Sequence, residues 1–316
     1  MTKIAVLDAA TLGRDIDLSP LRALGDTVIY QNTAANEVAE RLADAEVAVV
    51  NKIKMNAEAL SNATRLRLIC VTATGYDNVD TALCRARGIA LCNVPAYCTD
   101  SVAQLTLSMA ISLATHLFSY RAYVASGSYT ASGVANHLVP PFRELSSLTF
   151  GVVGGGAIGT RVAELAAAFG CRVLVCRRQK AGAFPCVDMD TLCREADILS
   201  LHVPLTEATR GMLSRARIQM MKKGAIVINT ARGAVVDEAA LADAVLSGHL
   251  GGVGVDVFST EPFGTDSPYA RIKSLPNVCL TPHMAWGAVE ARARCVQAVA
   301  ENIAAFFSGN AQNRII

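Results

Sequence analysis

The sequence has few aromatic residues, 5 % of 316, and almost no excess of charge, with a formal net charge of +2 at pH 7. A chain this close to neutral has no general affinity for polyanions, so we expect no nucleic-acid partner. Hydrophobic residues, in contrast, make up 52 % of the chain. A composition rich in small and aliphatic residues is typical of parallel sheets that are buried on both faces.

The ten cysteines are scattered, with no CxxC pair and no Cys/His cluster at metal-ligand spacing. We therefore expect no metal site, and we interpret the thiols as reduced and largely buried in a cytoplasmic protein. The N-terminal MTKIAVLDAA lacks the long apolar region of a signal peptide. The longest apolar helical stretch, 105–118, is too short to span a bilayer, so we expect no membrane partner.

One segment, 150–180, combines a strand pattern, a glycine-rich turn, an amphipathic helix pattern and a second strand pattern. Its glycines have the G-x-G-x-x-G spacing of a dinucleotide-binding turn. The first glycine allows the tight turn, the second lets the backbone approach the pyrophosphate, and the third allows close helix–strand packing. A glycine-rich turn of another α/β protein, such as a methyltransferase, is the alternative. The predicted dinucleotide contacts are Gly154, Gly156, Ala157, Ile158 and Gly159.

The second strand of this segment is followed by two arginines. Sites that prefer NAD place an acidic residue there, which holds the ribose 2′-hydroxyl. Here Arg177 and Arg178 follow the strand, and the next acidic residue is Asp188. A guanidinium cannot accept a hydrogen bond, but it matches a phosphate. The sequence therefore predicts that NADP(H) is preferred, with NAD(H) as the other possible cofactor. Arg177 aligns with the missing acid, so it is the predicted main contact of the 2′-phosphate. The alternative is that both arginines point into solvent.

Apolar strand-like runs alternate with helical patterns in both halves of the chain, which is typical of doubly wound parallel sheets. The predicted strands are 4–7, 47–50, 68–71 and 89–91, then 151–153, 173–176, 198–201, 225–229, 252–257 and 278–281. One long helix is predicted over about 100–120 and a terminal helix over about 288–307. The Ser/Gly/Pro-rich segment between them, 126–147, is predicted to be irregular.

Three polar segments follow strands of the second half: NTARG at 229–233, DVFSTEP at 256–262 and TPH at 281–283. The carboxyl ends of parallel strands line one crevice, so Arg232, Glu261 and His283 can converge although they are far apart in sequence. Each residue alone is weak evidence, because an arginine after a strand is usually a solvated charge and a single histidine is usually structural.

Taken together, these segments resemble those of the D-isomer-specific 2-hydroxyacid dehydrogenases. The resemblance rests on TARG, DVFSTEP, TPHMAW, the glycine motif and HVPLT at 202–206, and it covers nearly the whole chain. ATGYDNVD at 73–80, NVPAYCTDSVAQ at 93–104 and Trp286 are most similar to the glycerate dehydrogenase or hydroxypyruvate reductase branch. Formate dehydrogenases share the fold but typically have glutamine where this chain has Glu261. The two arginines depart from the acid that many members carry.

The resemblance implies three catalytic residues. Arg232 would bind the carboxylate and carbonyl oxygen of a 2-oxo acid, since its fork of donors suits both. His283 would donate a proton to the ketone as hydride arrives, and would remove it in the reverse direction. Glu261 would orient the imidazole and favour its protonated form.

The resemblance also implies contacts with cofactor and substrate. Asp256 would hold the nicotinamide carboxamide, and backbone groups at Thr74 and Gly75 would bind the substrate carboxylate. Lys52 follows another strand and would face either the substrate or solvent. The remaining implied cofactor contacts are His202, Pro204, Thr206, Thr230 and Ala231.

The implied architecture is an α/β fold of two Rossmann-like doubly wound parallel-sheet domains with an active site in the cleft between them. The flavodoxin-like substrate-binding domain would comprise 1–99 plus 287–316. The dinucleotide-binding domain would comprise 100–286 and carry a dimerisation arm, 120–147.

The implied function is reversible NADPH-dependent reduction of hydroxypyruvate or glyoxylate to the D-2-hydroxy acid, by a cytoplasmic homodimer. One alternative is a reductase of a larger 2-oxo acid such as phenylpyruvate. The other is a nucleotide-sensing, corepressor-like scaffold, which would show no turnover.

Overall fold

The computed structural model describes residues 1–178 and 182–316, and it divides into two compact units. Unit 1 comprises Met1–Cys98 and Gly287–Ile316, and unit 2 comprises Thr99–Trp286. Each unit is built on one parallel sheet, of five strands in unit 1 and six in unit 2. The predicted α/β fold class is confirmed.

The helices and strands of the described residues are numbered in chain order. The strands are β1 (Lys3–Val6), β2 (Asp26–Ile29), β3 (Val47–Val50), β4 (Leu68–Val71), β5 (Ala90–Cys92), β6 (Thr149–Val153), β7 (Arg172–Cys176), β8 (Ile198–Leu201), β9 (Ala225–Asn229), β10 (Leu250–Val255) and β11 (Val278–Leu280). The α-helices are α1 (Ser19–Arg22), α2 (Val38–Arg41), α3 (Thr81–Ala86), α4 (Thr99–Ala114), α5 (Leu117–Ala125), α6 (Ser128–Ser132), α7 (Ala157–Ala168), α8 (Met189–Glu195), α9 (Arg215–Met220), α10 (Glu238–Leu246) and α11 (Val289–Phe307).

Unit 1 has the strand order β2-β1-β3-β4-β5, which is the order of flavodoxin-like sheets. The central strands β3 and β4 are buried at every residue, and they have the bounds that their apolar runs predict. The edge strand β2 was not predicted. Its residues alternate between exposed and half-buried, so the strand does not need a continuous apolar run. The sequence DTVI has none.

Unit 2 has the strand order β11-β10-β9-β8-β6-β7. The chain passes from β6 outward to β7, and it then crosses back to β8 on the other side of β6. This reversal is a topological switch point, where open α/β sheets bind ligands at the carboxyl ends of their strands. In unit 2 those ends are Val153 of β6 and Leu201 of β8, next to the glycine-rich turn.

The helix predicted over 100–120 is two helices. His116, between α4 and α5, has a left-handed φ of 52°, and the two helix axes are bent by 64°. The apolar pattern continues through the break, so the sequence did not reveal it. The predicted irregular segment 126–147 also contains one short α-helix, α6, between Gly127 and Gly133, which both have positive φ, and a 3-10 turn at Leu145–Ser147.

No single helix of the described chain is both long enough and apolar enough to cross a membrane. The bent pair of α4 and α5 meets that test of length and composition only when the two are taken together.

Candidate active site

Three adjacent strands of unit 2 lead into the loops that carry the predicted catalytic residues. Arg232 follows β9, Glu261 follows β10 and His283 follows β11. Gly233 lets the first two loops meet, because a side chain there would overlap the backbone between Phe258 and Ser259. The structure therefore packs the arginine loop directly against the glutamate loop, as predicted for strand ends in one crevice.

His283 and Glu261 form a direct pair. His283 Nδ1 lies 2.7 Å from Glu261 Oε2, and the other carboxylate oxygen accepts a hydrogen bond from the Phe258 N–H at 3.0 Å. Both side chains are partly exposed, 22 % for the histidine and 31 % for the glutamate. Since Nδ1 is engaged by the carboxylate, Nε2 is the other ring nitrogen that can carry or release a proton.

The backbone of His283 is strained. Its φ of 52° lies in the left-handed region, which costs a non-glycine residue about 1–3 kcal/mol. The His283 N–H donates to the Thr281 carbonyl at 3.0 Å, and the Trp286 indole donates to the His283 carbonyl at 3.0 Å. These bonds hold the peptide groups on both sides of the catalytic ring.

Asp256 supports the same loop. One carboxylate oxygen accepts hydrogen bonds from Thr281 Oγ1 at 2.6 Å and from the Met284 N–H at 2.8 Å. The other accepts from the Ala285 N–H at 2.9 Å. The residue is fully buried, and burial raises the pKa of its carboxyl group. The structure thus gives Asp256 a role in holding the loop that carries His283, which the sequence did not predict, while its contact with the nicotinamide carboxamide stays a prediction.

The turn that carries Arg232 is closed by Asn229. The Asn229 side chain accepts from the Ala231 N–H at 3.0 Å and donates to the Arg232 carbonyl at 2.9 Å. Arg232 is partly buried, and its Nη1 donates to the Ala231 carbonyl at 2.8 Å. The Thr230 hydroxyl lies 3.1 Å from that of Thr106 on α4, so this side chain is anchored to a neighbouring helix.

The glycine-rich turn has the geometry that its spacing predicts. Gly154 has a φ of 112°, and a side chain there would overlap the His202 carbonyl. A side chain at Gly159 would overlap the Gly154 carbonyl, so α7 packs closely on the end of β6. At Gly156, no atom lies within 4 Å of the position that a Cβ would take. This open face precedes the N-terminus of α7 and suits the approach of a phosphate.

The two arginines after β7 differ in their surroundings. Arg177 is partly buried, its Nη2 donates to the Phe184 carbonyl at 3.1 Å, and its stem packs over Gly155. Arg178 is exposed. The sequence favoured Arg177 as the main contact of a 2′-phosphate, because it occupies the place of the usual acid. In the structure its guanidinium contacts the protein backbone, and Arg178 presents its charge to solvent.

The loop after β8 is ordered by its own side chains. His202 Nε2 lies 3.0 Å from Ser200 Oγ, and burial lowers the pKa of the imidazole to about 3, so the ring is neutral near pH 7. Thr209 Oγ1 donates to the Pro204 carbonyl at 2.6 Å and accepts from the Thr206 N–H at 2.8 Å. Pro204 and Thr206 are exposed at the carboxyl end of β8, where a cofactor contact was predicted.

In unit 1, the predicted substrate residues follow the neighbouring strands β3 and β4. The carboxylate of Asp8 accepts hydrogen bonds from the backbone of Asn51 at 2.9 Å and of Lys52 at 2.7 Å. Burial raises the pKa of Asp8, a support residue that the sequence analysis missed. Its position just past a strand, like that of Asp256, is the signal that could have identified it. Thr74, in the stretch that includes Gly75, donates to the Val94 carbonyl at 2.9 Å.

Among the described residues, no group of three or more His, Cys, Asp or Glu side chains is arranged to hold a metal ion. The described site brings together a histidine and its carboxylate partner, a neighbouring arginine loop and a glycine-rich turn.

Comparison with known proteins supports the resemblance to the 2-hydroxyacid dehydrogenases. The family model described as "D-isomer specific 2-hydroxyacid dehydrogenase, NAD binding domain" matches residues 107–285. A glycerate dehydrogenase of Methylorubrum extorquens is 36 % identical over 90 % of each chain. A hydroxypyruvate reductase of Blautia hydrogenotrophica is 33 % identical over 98 % of each chain. These two relatives confirm the predicted resemblance to their branch.

A solved structure of similar fold is the D-lactate dehydrogenase from Aquifex aeolicus in complex with NAD and lactic acid. It is 32 % identical, with a TM-score of 0.85 over 98 % of this chain and 96 % of that chain.

Proposed function

We propose that this chain, which belongs to the D-isomer specific 2-hydroxyacid dehydrogenase family, reduces hydroxypyruvate or glyoxylate to the D-2-hydroxy acid with NADPH, in a reversible reaction. As a member of that family it is an oxidoreductase that uses a nicotinamide cofactor. The observation that carries the proposal is the His283–Glu261 pair, at 2.7 Å, whose glutamate lies on the loop that packs against the Arg232 loop. The names of the two relatives support a small 2-oxo acid as substrate.

The residues present fit a nicotinamide dinucleotide. Gly156 and the N-terminus of α7 would hold the pyrophosphate, since the backbone is open there. The exposed loop residues Pro204 and Thr206 would contact the cofactor near the switch point between β6 and β8. When bound, the reduced cofactor supplies the hydride that this chain's own side chains cannot.

The geometry supports one division of labour among the catalytic residues. Arg232 would bind the carboxylate and carbonyl oxygen of the 2-oxo acid through its fork of donors. As the carbonyl carbon gains hydride, the carbonyl oxygen gains negative charge, and protonated His283 donates its Nε2 proton to that oxygen. Glu261 holds Nδ1 and stabilises the positive charge of the ring before the transfer. Lys52, Thr74 and Gly75 remain proposed substrate contacts from unit 1.

A turnover screen tests the reaction class. Oxidation of NADPH and of NADH is followed at 340 nm with hydroxypyruvate, glyoxylate, pyruvate and phenylpyruvate, and the products are resolved by chirality. We expect the highest kcat/KM with hydroxypyruvate or glyoxylate and a D product. A preference for phenylpyruvate would support the larger-substrate alternative, and no turnover with any acid would favour the scaffold.

Two arginines support the preference for NADP(H). We propose that Arg178, which is exposed, reads the 2′-phosphate, and that Arg177 shapes the pocket by packing on Gly155 and bonding the Phe184 carbonyl. One charge-assisted hydrogen bond contributes about 1.5–3 kcal/mol, which corresponds to a tenfold to hundredfold preference.

Substitution of these arginines is expected to change the cofactor preference. Arg178→Ala should lower kcat/KM for NADPH by roughly tenfold to a hundredfold and leave that for NADH nearly unchanged. Arg177→Asp should restore an acceptor for the 2′-hydroxyl and shift the preference towards NADH. The matched control is Arg172→Ala at the other end of β7, which removes a charge paired with Glu195. Equal use of both cofactors by the wild type would refute the assignment.

We also propose that the chain is a homodimer that assembles through the arm, 120–147. The arm and the helix before it expose a series of apolar side chains, and no residue of α5 is buried. Exposed apolar patches of this kind mark interaction surfaces in soluble proteins. Tyr120 donates to the Pro140 carbonyl at 2.6 Å, which connects α5 to the segment after α6. Its members in the arm are Val124, Tyr129, Val134, Leu138, Val139 and Phe142.

The oligomeric state is measured by light scattering at micromolar concentration. We expect a dimer for the wild type and a monomer for Leu138→Glu, because Leu138 is 69 % exposed and a buried unpaired carboxylate is costly. Val28→Glu, at an exposed apolar residue of unit 1, is the matched control and should remain dimeric. A wild-type monomer at this concentration would exclude the proposal.

A further inference from the structure

The loop that carries His283 is held by hydrogen bonds from residues inside the loop and from residues far from it in sequence. Asp256 binds the N–H groups of Met284 and Ala285, and the Trp286 indole binds the His283 carbonyl. The Ala285 carbonyl accepts a hydrogen bond from Ser101 Oγ, a side chain near the first residue of unit 2. The polar backbone groups on both sides of the ring are thereby engaged.

Ser101 and Ala285 mark the two points where the chain enters and leaves unit 2. Ser101 lies in the first turn of α4, two residues after the unit begins at Thr99. Ala285 directly precedes the last residue of the unit, Trp286. Their hydrogen bond spans 184 positions of sequence and connects the start of α4, which has one buried face, to the loop that carries His283.

We propose that Ser101 is a positioning residue for the reaction, and that its hydroxyl keeps the His283 imidazole in the orientation that transfers the proton. A left-handed backbone at a non-glycine residue persists only where its surroundings over-determine it. Asp256 secures the N–H groups of the loop and Ser101 secures its last carbonyl. Without the hydroxyl, the peptide after Ala285 loses its anchor, and the ring samples orientations that misplace Nε2 relative to the substrate. This inference rests on the proposed function of His283.

The chain offers a matched set of variants. Ser101→Ala removes the hydroxyl, and Ser101→Thr retains it on the same helix. Ser108→Ala is the control, because Ser108 lies two turns further along α4, is exposed, and donates only to the Gln104 carbonyl of its own helix at 2.8 Å. Thermal unfolding and the Kd for NADPH are measured for every variant.

We expect Ser101→Ala to lower kcat by roughly tenfold or more, because a misplaced catalytic group raises the barrier even when binding is intact. The Kd for NADPH should be unchanged, Ser101→Thr should recover most of the activity, and Ser108→Ala should match the wild type. A wild-type kcat in Ser101→Ala would overturn the proposal. The proposal would also be overturned if Ser101→Ala lost activity together with a clear drop in Tm and Ser101→Thr did not restore the activity. That pattern indicates a purely structural role.

A measurement without substrate separates this inference from the proposed function. The chain has five histidines, so the ring resonances of His283 in an NMR spectrum can be assigned by their absence in His283→Ala. We expect the His283 signals to shift or double in Ser101→Ala and to remain unchanged in Ser108→Ala. Unchanged signals in Ser101→Ala would overturn the positioning role. If the signals respond but the wild type turns over no 2-oxo acid, the proposed function fails and the positioning of the ring stands.

Discussion

His283→Ala is expected to lower the rate of 2-oxo acid reduction by roughly 10²–10⁴ while the nucleotide still binds. The variant removes the proposed proton donor, but it leaves the glycine-rich turn intact. Steady-state turnover and calorimetric binding of NADPH measure the two effects separately. His249→Gln is the matched control, because His249 contacts the Ile218 carbonyl away from the catalytic loop. Near-normal turnover of His283→Ala would remove this residue from the mechanism.

Glu261→Gln tests the partner of the histidine on the same assay. Glu261 Oε2 lies 2.7 Å from His283 Nδ1 and places a negative charge beside the ring, whereas the amide of glutamine is neutral. The variant should therefore lower kcat for 2-oxo acid reduction, because the positive charge that the ring carries before it donates the proton loses its counter-charge. A kcat equal to that of the wild type would show that Glu261 does not assist the ring.

Arg232→Lys is expected to lose most of its kcat/KM for the 2-oxo acid, although the variant retains the positive charge. Lysine presents a compact ammonium, which cannot reproduce the two parallel hydrogen bonds that a guanidinium makes to a carboxylate. The loss of one such bond corresponds to about tenfold to a hundredfold in kcat/KM for the 2-oxo acid. The Kd for NADPH should not change.

The control for this substitution is Arg215→Lys, at an exposed arginine on α9 that is paired with Asp243. It should retain wild-type kinetics, because it lies outside the proposed site. Its exposed ion pair also contributes little to the stability of the fold. If Arg232→Lys keeps most of its kcat/KM, bidentate recognition of the substrate by Arg232 is the wrong account.

The sequence by itself determined the features that depend on short segments. Apolar runs predicted β3, β4, β8 and β9 with the bounds that the structure shows, because strands buried on both faces need continuous apolar residues. The glycine spacing predicted the glycine-rich turn, since Gly154 and Gly159 each stand where a side chain would overlap a backbone carbonyl. The polar residues after three strands predicted a common site, because parallel strands end at one edge of a sheet.

Other features were decided only by the tertiary structure. The helix break at His116 and the edge strand β2 have no clear local signal, since each depends on what packs against it. The contrast between Arg177 and Arg178 arises because the Phe184 carbonyl holds the guanidinium of Arg177 and Gly155 packs against its stem, whereas Arg178 is exposed. The support of the catalytic loop by Asp256 and Ser101 joins groups that are distant in the chain. Such hydrogen bonds exist only after folding, and no local pattern of residues encodes them.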